Sequence, residues 1–206
     1  MLNTPKVADI KEKTVLVRVD FNVPLKKIEQ NGLEKYVVAD DQRIRNALET
    51  ILFLKEHDAK IILISHLGRP DGKVVKKYSL APIATYLRQN LGLENQFVTD
   101  CLGEKVAAKA GKLKKGEILL LENLRFHGEE EANDQAFAKK IVKDTQAEVF
   151  INEAFSAAHR AHASVVGLAE LLPKFAGFDL AAEVNILTKI LEKAPRPFVV
   201  VLGGAK

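Results

Sequence analysis

The segment Thr14-Val-Leu-Val-Arg-Val-Asp20 decides the fold class of this 206-residue chain. The segment is mostly apolar, and its apolar residues do not alternate with polar ones. Two further segments have the same character: Lys60-Ile-Ile-Leu-Ile-Ser65 and Glu117-Ile-Leu-Leu-Leu121. Strands of this kind are buried on both faces, which is typical of parallel sheets that are covered by helices. Apolar residues at helical spacing separate these strands, so the sequence predicts an α/β fold.

Further segments complete an alternating order of strands and helices. Helices are predicted near residues 44–52, 79–91, 104–110 and 134–143, and additional strands at 96–99 and 147–152. The order βαβαβαβαβ predicts a Rossmann-like parallel sheet with helices on both faces, a three-layer α/β/α domain. The polar segment Lys26–Val38 is interpreted as a surface hairpin or loop.

The pattern changes after Gly177. A helix of about fourteen residues is predicted there. It ends at Ala194-Pro-Arg-Pro197, where two prolines block its continuation. The apolar segment Phe198–Leu202 is predicted to be a strand, and a glycine turn after such a strand normally begins another βα unit. We therefore expect one domain over 1–178, an interdomain helix and hinge over 179–196, and the start of a second domain over 197–206.

Composition excludes several classes of protein. The excess of 31 Lys and Arg over 27 Asp and Glu gives a net charge of +4, which is too small to indicate a nucleic-acid partner. Cys101 is the single cysteine, so multi-cysteine metal sites and internal disulfides are excluded. No apolar run approaches the roughly 18 residues of a membrane helix, and the N-terminus lacks the apolar core of a signal peptide. A cytoplasmic protein without a membrane partner is expected.

Cationic residues follow the predicted strands. Arg69, Arg125 and Arg160 lie just beyond strand ends, and Arg43 begins the helix after the first strand. The carboxyl ends of parallel strands meet at the ligand-binding edge of such a sheet. Arginine there favours bidentate binding of carboxylate or phosphate. Four histidines share this edge: His66, His127, His159 and His162. The sequence therefore predicts a site for a small, multiply anionic ligand.

Structural alternatives stay open for these residues. Each arginine could form an ordinary loop ion pair, and His66 could hydrogen-bond within a loop. Asp20 and Asn22 could be turn formers ahead of Pro24. Because no carboxylate–histidine set stands at ligand spacing, no metal site is predicted.

Six ordered motifs resemble the phosphoglycerate kinase family. They are Val17-Arg-Val-Asp-Phe-Asn-Val-Pro24, Asp41-Gln-Arg-Ile-Arg45, Ser65-His-Leu-Gly-Arg-Pro70, Leu121-Glu-Asn-Leu-Arg-Phe-His127, Ala158-His-Arg-Ala-His-Ala-Ser164 and Leu202-Gly-Gly-Ala-Lys206. The resemblance covers essentially the whole chain and corresponds to the amino-terminal half of the enzyme. It implies that the chain ends on the first strand of the nucleotide-binding domain.

The resemblance also implies the roles of individual residues. Arg43 and Lys206 would be catalytic, with Arg43 neutralising the transferring phosphoryl group. The nucleotide would be bound through Gly203, Gly204, Ala205 and Lys206, and no metal ligand would lie in this chain. The 3-phosphoglycerate site would comprise Asp20, Phe21, Asn22, Arg43, His66, Leu67, Gly68, Arg69, Arg125 and Arg160.

The implied activity is reversible phosphoryl transfer between 1,3-bisphosphoglycerate and ADP, giving 3-phosphoglycerate and ATP in glycolysis. Mg-ATP or Mg-ADP would serve the complete, monomeric enzyme and bind mainly to its C-terminal domain, so these residues alone should bind no cofactor and be inactive. Glu153 stands where the family usually has Asp, and Ser156-Ala157 replace a Gly-Thr pair. The alternative is a stand-alone anion-binding or scaffold domain without catalysis. A nucleic-acid-binding domain is disfavoured because the chain has no Trp and three Tyr.

Overall fold

A six-stranded parallel sheet forms the centre of the protein. The structure is a computed structural model and describes residues 2–30 and 32–203. Its strands are β1 (Thr14–Arg18), β2 (Leu25–Gln30), β3 (Leu33–Val38), β4 (Lys60–Ile64), β5 (Gln96–Val98), β6 (Ile118–Leu121), β7 (Val149–Asn152) and β8 (Lys174–Ala176). The sheet order is β5-β6-β4-β1-β7-β8, with every neighbouring pair parallel. The predicted α/β fold is confirmed.

Helices cover both faces of this sheet. They are α1 (Val7–Ile10), α2 (Gln42–Asn46), α3 (Leu48–Glu56), α4 (Ala81–Leu91), α5 (Glu104–Ala110), α6 (Gln135–Thr145), α7 (Phe155–Ala158), α8 (Leu168–Leu171) and α9 (Phe178–Lys193). Successive strand residues point to opposite faces. Val17 therefore packs in one core with residues of α3 and α4, whereas Leu16 packs in a second core with residues of α5 and α6.

The segment predicted as a hairpin or loop is a hairpin. Strands β2 and β3 pair in antiparallel register, with Lys26 opposite Val37, and form a separate two-stranded sheet. β3 packs against α4. The hairpin thus lies outside the parallel sheet and leaves the edge at the strand ends unchanged.

Two local predictions need correction. The single helix predicted near residues 44–52 is divided into α2 and α3 at Ala47, and this turn keeps both Ile44 and Ile51 in the core. Strand β8 was not predicted, because three residues are too short for a periodic signal. It is fixed by the sheet itself, since the N–H of Phe150 donates to the Pro173 carbonyl.

The C-terminal part begins with α9, which at 16 residues is slightly longer than predicted. Residues 198–203 form no strand in the described part of the chain, and Val201 and Leu202 are exposed. The backbone N–H and C=O groups of a strand need hydrogen-bond partners on a neighbouring strand. Within the described residues, no strand of the sheet pairs with this segment. Gly204, Ala205 and Lys206 lie outside the described residues. Among the helices that are described, none combines the length and apolar character that crossing a bilayer requires.

Candidate anion-binding site

The loops after β1, β4 and β6 meet around Gly68. Because these strands are adjacent, the loops begin at one edge of the sheet. The Asn22 side-chain oxygen accepts a hydrogen bond from the Gly68 N–H at 2.9 Å, and Arg125 Nη1 donates to the Gly68 carbonyl at 2.9 Å. Gly68 has φ +64°, and a side chain there would overlap the ring of Tyr78. Only glycine suits this junction, which brings the predicted residues of three loops together.

Backbone N–H groups in these loops are already hydrogen-bonded within the protein. The Phe21 N–H donates to Ser65 Oγ at 3.0 Å, and the Leu67 N–H donates to Asn123 Oδ1 at 3.2 Å. The Gly68 N–H is held by Asn22. These three amides therefore fix the shape of the loops, and the expectation that Phe21, Leu67 and Gly68 line the site through their backbone stays a prediction.

Arg125 is a buried arginine at this edge whose guanidinium is incompletely hydrogen-bonded. Its side chain is 3% exposed, and Nη1 is the nitrogen bound to Gly68. Nε lies 3.4 Å from Glu131 Oε1, but neither Nε nor Nη2 has a hydrogen-bond partner among the described residues. Burial lowers the pKa of Arg125, and the charges of Arg160 and Arg69 lower it further. The structure thus brings three of the predicted arginines into one electrostatic cluster.

Arg43 differs from Arg125 because its guanidinium donates a hydrogen bond to a carboxylate. Its Nη1 lies 2.8 Å from Asp20 Oδ2, and Ser156 Oγ donates to the same oxygen at 2.6 Å. The Arg43 side chain is about half exposed. A cavity of about 220 Å³ lies beside this pair and is bordered by Glu153 and Asp179. Asp20 therefore orients Arg43 and neutralises it in this state of the protein.

His66 is the predicted histidine that lies within the cluster. It is buried, and its Nδ1 lies 2.7 Å from Nη2 of Arg18, a residue that sequence reasoning did not select. Burial, together with the charges of Arg18 and Arg125, lowers the pKa of His66 to about 2. His66 is therefore a neutral imidazole and adds no positive charge to the cluster.

The other three histidines have different surroundings. His162 Nδ1 lies 3.8 Å from Glu130 Oε1, and burial lowers the pKa of this ring. His159 is exposed. His127 Nε2 lies 2.8 Å from Asp100 Oδ1. The structure therefore brings His66 and His162 to the arginines, whereas His127 belongs to a separate pair.

That pair is part of a group with metal-ligating atoms. The ligating atoms of Asp100, Cys101 and His127 lie within 4.8 Å of one another. Burial raises the pKa of the Cys101 thiol well above its ordinary value, which disfavours the thiolate that ligates metals. Mg²⁺ prefers an octahedron of oxygen ligands, so this group does not fit the magnesium of a bound nucleotide.

Sequence reasoning also did not select two buried carboxylates as site residues. Glu130 accepts hydrogen bonds from the Ser164 N–H at 2.9 Å and from Ser164 Oγ at 2.6 Å, and its charge raises the pKa of Arg18 against the effect of burial.

The sequence offers a signal for Arg18 but none for Glu130. Arg18 could have been found, because it is a charged residue within an otherwise apolar strand. Glu130 lies in the acidic run Glu129–Glu131, which gives no sign that its middle member is buried.

Glu153 is the second of these carboxylates and joins the site to helix α9. It is buried, and its Oε1 accepts hydrogen bonds from Thr50 Oγ1 at 2.7 Å and from the Asp179 N–H at 3.2 Å. Oε2 has no partner among the described residues. Burial raises the pKa of Glu153 to about 7. Through the two hydrogen bonds to Oε1, this side chain, which is one methylene longer than Asp, connects Thr50 of α3 with Asp179 of α9.

Comparisons with known proteins agree with the six motifs. The family model described as phosphoglycerate kinase matches residues 6–206. Phosphoglycerate kinase of Moorella thermoacetica is 51% identical over 203 residues, 98% of this chain and 49% of that protein. The enzyme of Coprothermobacter proteolyticus is 51% identical over 205 residues, 100% of this chain and 50% of that protein. The chain thus spans about half the length of the curated relatives it matches.

Solved structures give the same result for the fold. Phosphoglycerate kinase from Coxiella burnetii superposes with a TM-score of 0.74 at 34% identity, over 91% of this chain and 44% of that one. The enzyme from Pyrococcus horikoshii superposes with a TM-score of 0.82 at 32% identity, over 96% and 47%.

Proposed function

Because this chain belongs to the phosphoglycerate kinase family, we propose that its strand-end edge binds 3-phosphoglycerate. The reaction is the reversible transfer of a phosphoryl group between 1,3-bisphosphoglycerate and ADP, which gives 3-phosphoglycerate and ATP. Such transfer depends on positioning and on neutralising negative charge more than on covalent catalysis. An edge rich in arginine suits both requirements.

The observation that carries this proposal is the buried, incompletely satisfied guanidinium of Arg125. A buried polar group without a partner is unfavourable, and a buried charge more so. An anion placed against Nη2 would supply the missing acceptor. Arg69 and Arg160 provide further charge close by, as their effect on the pKa of Arg125 indicates. A small ligand with both a carboxylate and a phosphate would use several such donors at once.

Arg43 has a different proposed role, at the transferring phosphoryl group. In the pair with Asp20 and Ser156 it is held at the mouth of the 220 Å³ cavity with its charge neutralised. Binding of a highly anionic phosphoryl group would compete with Asp20 for the same guanidinium. Asp20 is then a residue that positions Arg43, and it reaches the substrate only indirectly.

The nucleotide half of the reaction is proposed for the rest of a longer protein. Gly203, Gly204, Ala205 and Lys206 would begin the nucleotide site, and Lys206 would serve the phosphoryl group in flight. Residues 1–178 would form the acid-binding domain, 179–196 the helix and hinge, and 197–206 the first part of the nucleotide-binding domain. When bound there, Mg-ATP or Mg-ADP supplies the phosphoryl donor or acceptor and the metal charge. The Asp100 group described above does not fit that magnesium.

Calorimetric titration of residues 1–206 with 3-phosphoglycerate tests the proposal. We expect saturable, modest binding that weakens with added salt, because charge–charge attraction is screened. Arg125→Met should weaken binding at least about tenfold, since one charge-assisted hydrogen bond contributes on the order of 1.5–3 kcal/mol. Arg88→Met is the matched control, because Arg88 lies in the last turn of α4 and donates to Asn95 instead of to the site residues.

Two outcomes would contradict the proposal. A folded sample that shows no response to 3-phosphoglycerate would refute the assignment of the edge. Titration with Mg-ATP in a parallel experiment should give no turnover, because the donor cannot be aligned with the bound carboxylate by these residues alone. Measurable turnover would refute the assignment of the nucleotide site to the remaining half of the enzyme.

A further inference from the structure

Arg18 is the most deeply buried arginine of the site and is not expected to touch a ligand. It lies on the central strand β1, is 1% exposed, and its Nη2 lies 2.7 Å from Nδ1 of His66. We propose that Arg18 is a positioning residue, which fixes His66 as a neutral imidazole that donates a hydrogen bond from Nε2 to the bound acid. This inference rests on the proposed function of the edge.

The chemistry of the two side chains fixes the direction of their hydrogen bond. A guanidinium has N–H donors and no acceptor. The His66 nitrogen that faces Arg18 must therefore present its lone pair, so Nδ1 carries no proton. In a neutral ring the single proton then resides on Nε2. The contact at 2.7 Å thus selects one tautomer, and it also excludes the imidazolium, whose Nδ1–H would point at a cation.

The charged groups around His66 disfavour protonation of its ring. Arg18 acts on it from β1, Arg125 from the loop after β6, and Arg160 and His162 from the segment after β7. All of these groups lower the pKa of His66, as does burial. The ring therefore stays neutral at physiological pH, where its Nε2–H is available as a donor.

Arg18 is itself held by a backbone hydrogen bond and influenced by a buried charge. Its Nη1 donates to the carbonyl of the next residue, Val19, at 2.9 Å. The buried carboxylate of Glu130 opposes the loss of charge that burial favours, and Ser164 holds Glu130 through two hydrogen bonds. The guanidinium is thus fixed by a backbone hydrogen bond and kept charged with the help of Glu130, so it can orient another side chain.

A neutral donor and a cationic donor differ in what they contribute to binding. An imidazolium would attract anions most strongly below pH 6.5, so affinity would change across the physiological range. A neutral Nε2–H gives a directional hydrogen bond whose contribution does not vary with pH there. Arg18 thereby converts the histidine from a titrating charge into a fixed donor, and leaves charge attraction to the arginines.

The test uses long-range ¹H–¹⁵N NMR of ¹⁵N-labelled residues 1–206, with the His66 signals assigned from the His66→Gln spectrum. We expect an unprotonated Nδ1, a protonated Nε2 and no titration of this ring between pH 8 and pH 5. In Arg18→Met, which removes the donor at similar length, the ring should show tautomer exchange or begin to titrate. Arg18→Lys keeps a donor and should restore the wild-type pattern. Arg88→Met should leave it unchanged.

Affinity for 3-phosphoglycerate supplies the second readout. We expect a loss of at least about tenfold in Arg18→Met and recovery to within about threefold in Arg18→Lys, since a charge-assisted contact is restored. A wild-type Nδ1–H, or unchanged affinity in a folded Arg18→Met, would overturn the inference. If the wild-type chain binds no 3-phosphoglycerate, the proposed function fails, whereas the wild-type tautomer still decides whether Arg18 fixes His66.

Discussion

Replacing Glu153 by Gln should remove one contribution to the pH dependence of the free energy of unfolding. Glu153 is buried between α3 and the start of α9, and its Oε2 has no partner among the described residues. Gln keeps an oxygen for the bonds from Thr50 and from the Asp179 N–H, and it resembles the protonated acid. The variant cannot ionise, so any free energy that depends on this ionisation disappears.

The magnitude follows from the pKa of the carboxyl in the two states. It is about 7 in the fold, against an ordinary value of 4.5. Between these values the folded state binds more protons than the unfolded state, so stability falls as pH rises from about 4.5 and levels off above 7. From pH 5 to pH 8 the wild-type protein should lose about 2.5 kcal/mol through Glu153 alone. Glu153→Gln should lack this loss.

Urea unfolding followed by circular dichroism at pH 5 and pH 8 measures the effect. The stability of Glu153→Gln relative to wild type should rise by about 2.5 kcal/mol between the two pH values. Glu49→Gln, at an exposed position of α3, controls for the removal of a carboxylate and should leave that comparison unchanged. A relative stability that is the same at both pH values would refute the reasoning, because Glu153 would then be ionised in the fold at its ordinary pKa.

Two further predictions concern neighbouring groups. His66 is neutral in the fold and has an ordinary pKa of 6.5, so the unfolded chain binds the extra proton as pH falls. Wild type should therefore lose about 2 kcal/mol through His66 from pH 8 to pH 5, and His66→Gln should remove that loss in the same urea experiment. A side chain at Gly177 would overlap the Glu153 carboxylate. Gly177→Ala should thus destabilise the fold by about 1–3 kcal/mol, and by less in a Glu153→Ala background. Gly128→Ala is the control and should have little effect, because there is open space around Gly128. Equal losses of stability at both glycines would contradict this prediction.

Much of the fold could be predicted from local sequence. The apolar runs at β1, β4 and β6 are strands because their residues are buried on both faces, and the helix α4 ends at Gly92, which has the left-handed φ of 63°. Where short-range signals are weak, the prediction was incomplete. Strand β8 exists because β7 offers it an edge, and no pattern within three residues could reveal that.

The site could be predicted in position but less well in charge state. The strand-end rule placed Arg69, Arg125 and Arg160 at one edge, and in the structure the charges of Arg69 and Arg160 act on Arg125. It could not indicate that Arg43 is paired with Asp20, nor that His66 is neutral, because both depend on residues distant in sequence. Arg18 was not selected because the sequence analysis considered only residues that follow the strands, and Arg18 lies within one. Burial and hydrogen bonding, which only three-dimensional packing sets, decide these properties.

The central position of β1 has a consequence for how the chain folds. One edge of β1 pairs with β4, which follows soon after it in the sequence, but the other edge pairs with β7, so that Val15 lies opposite Val149. Closing the sheet therefore joins segments far apart along the chain, and contacts of high sequence separation slow folding. During synthesis β1 keeps one bare edge until residues near 149 have emerged. For most of that time the strand bearing Arg18 is open to pairing with the wrong partner, a hazard that unpaired edges carry.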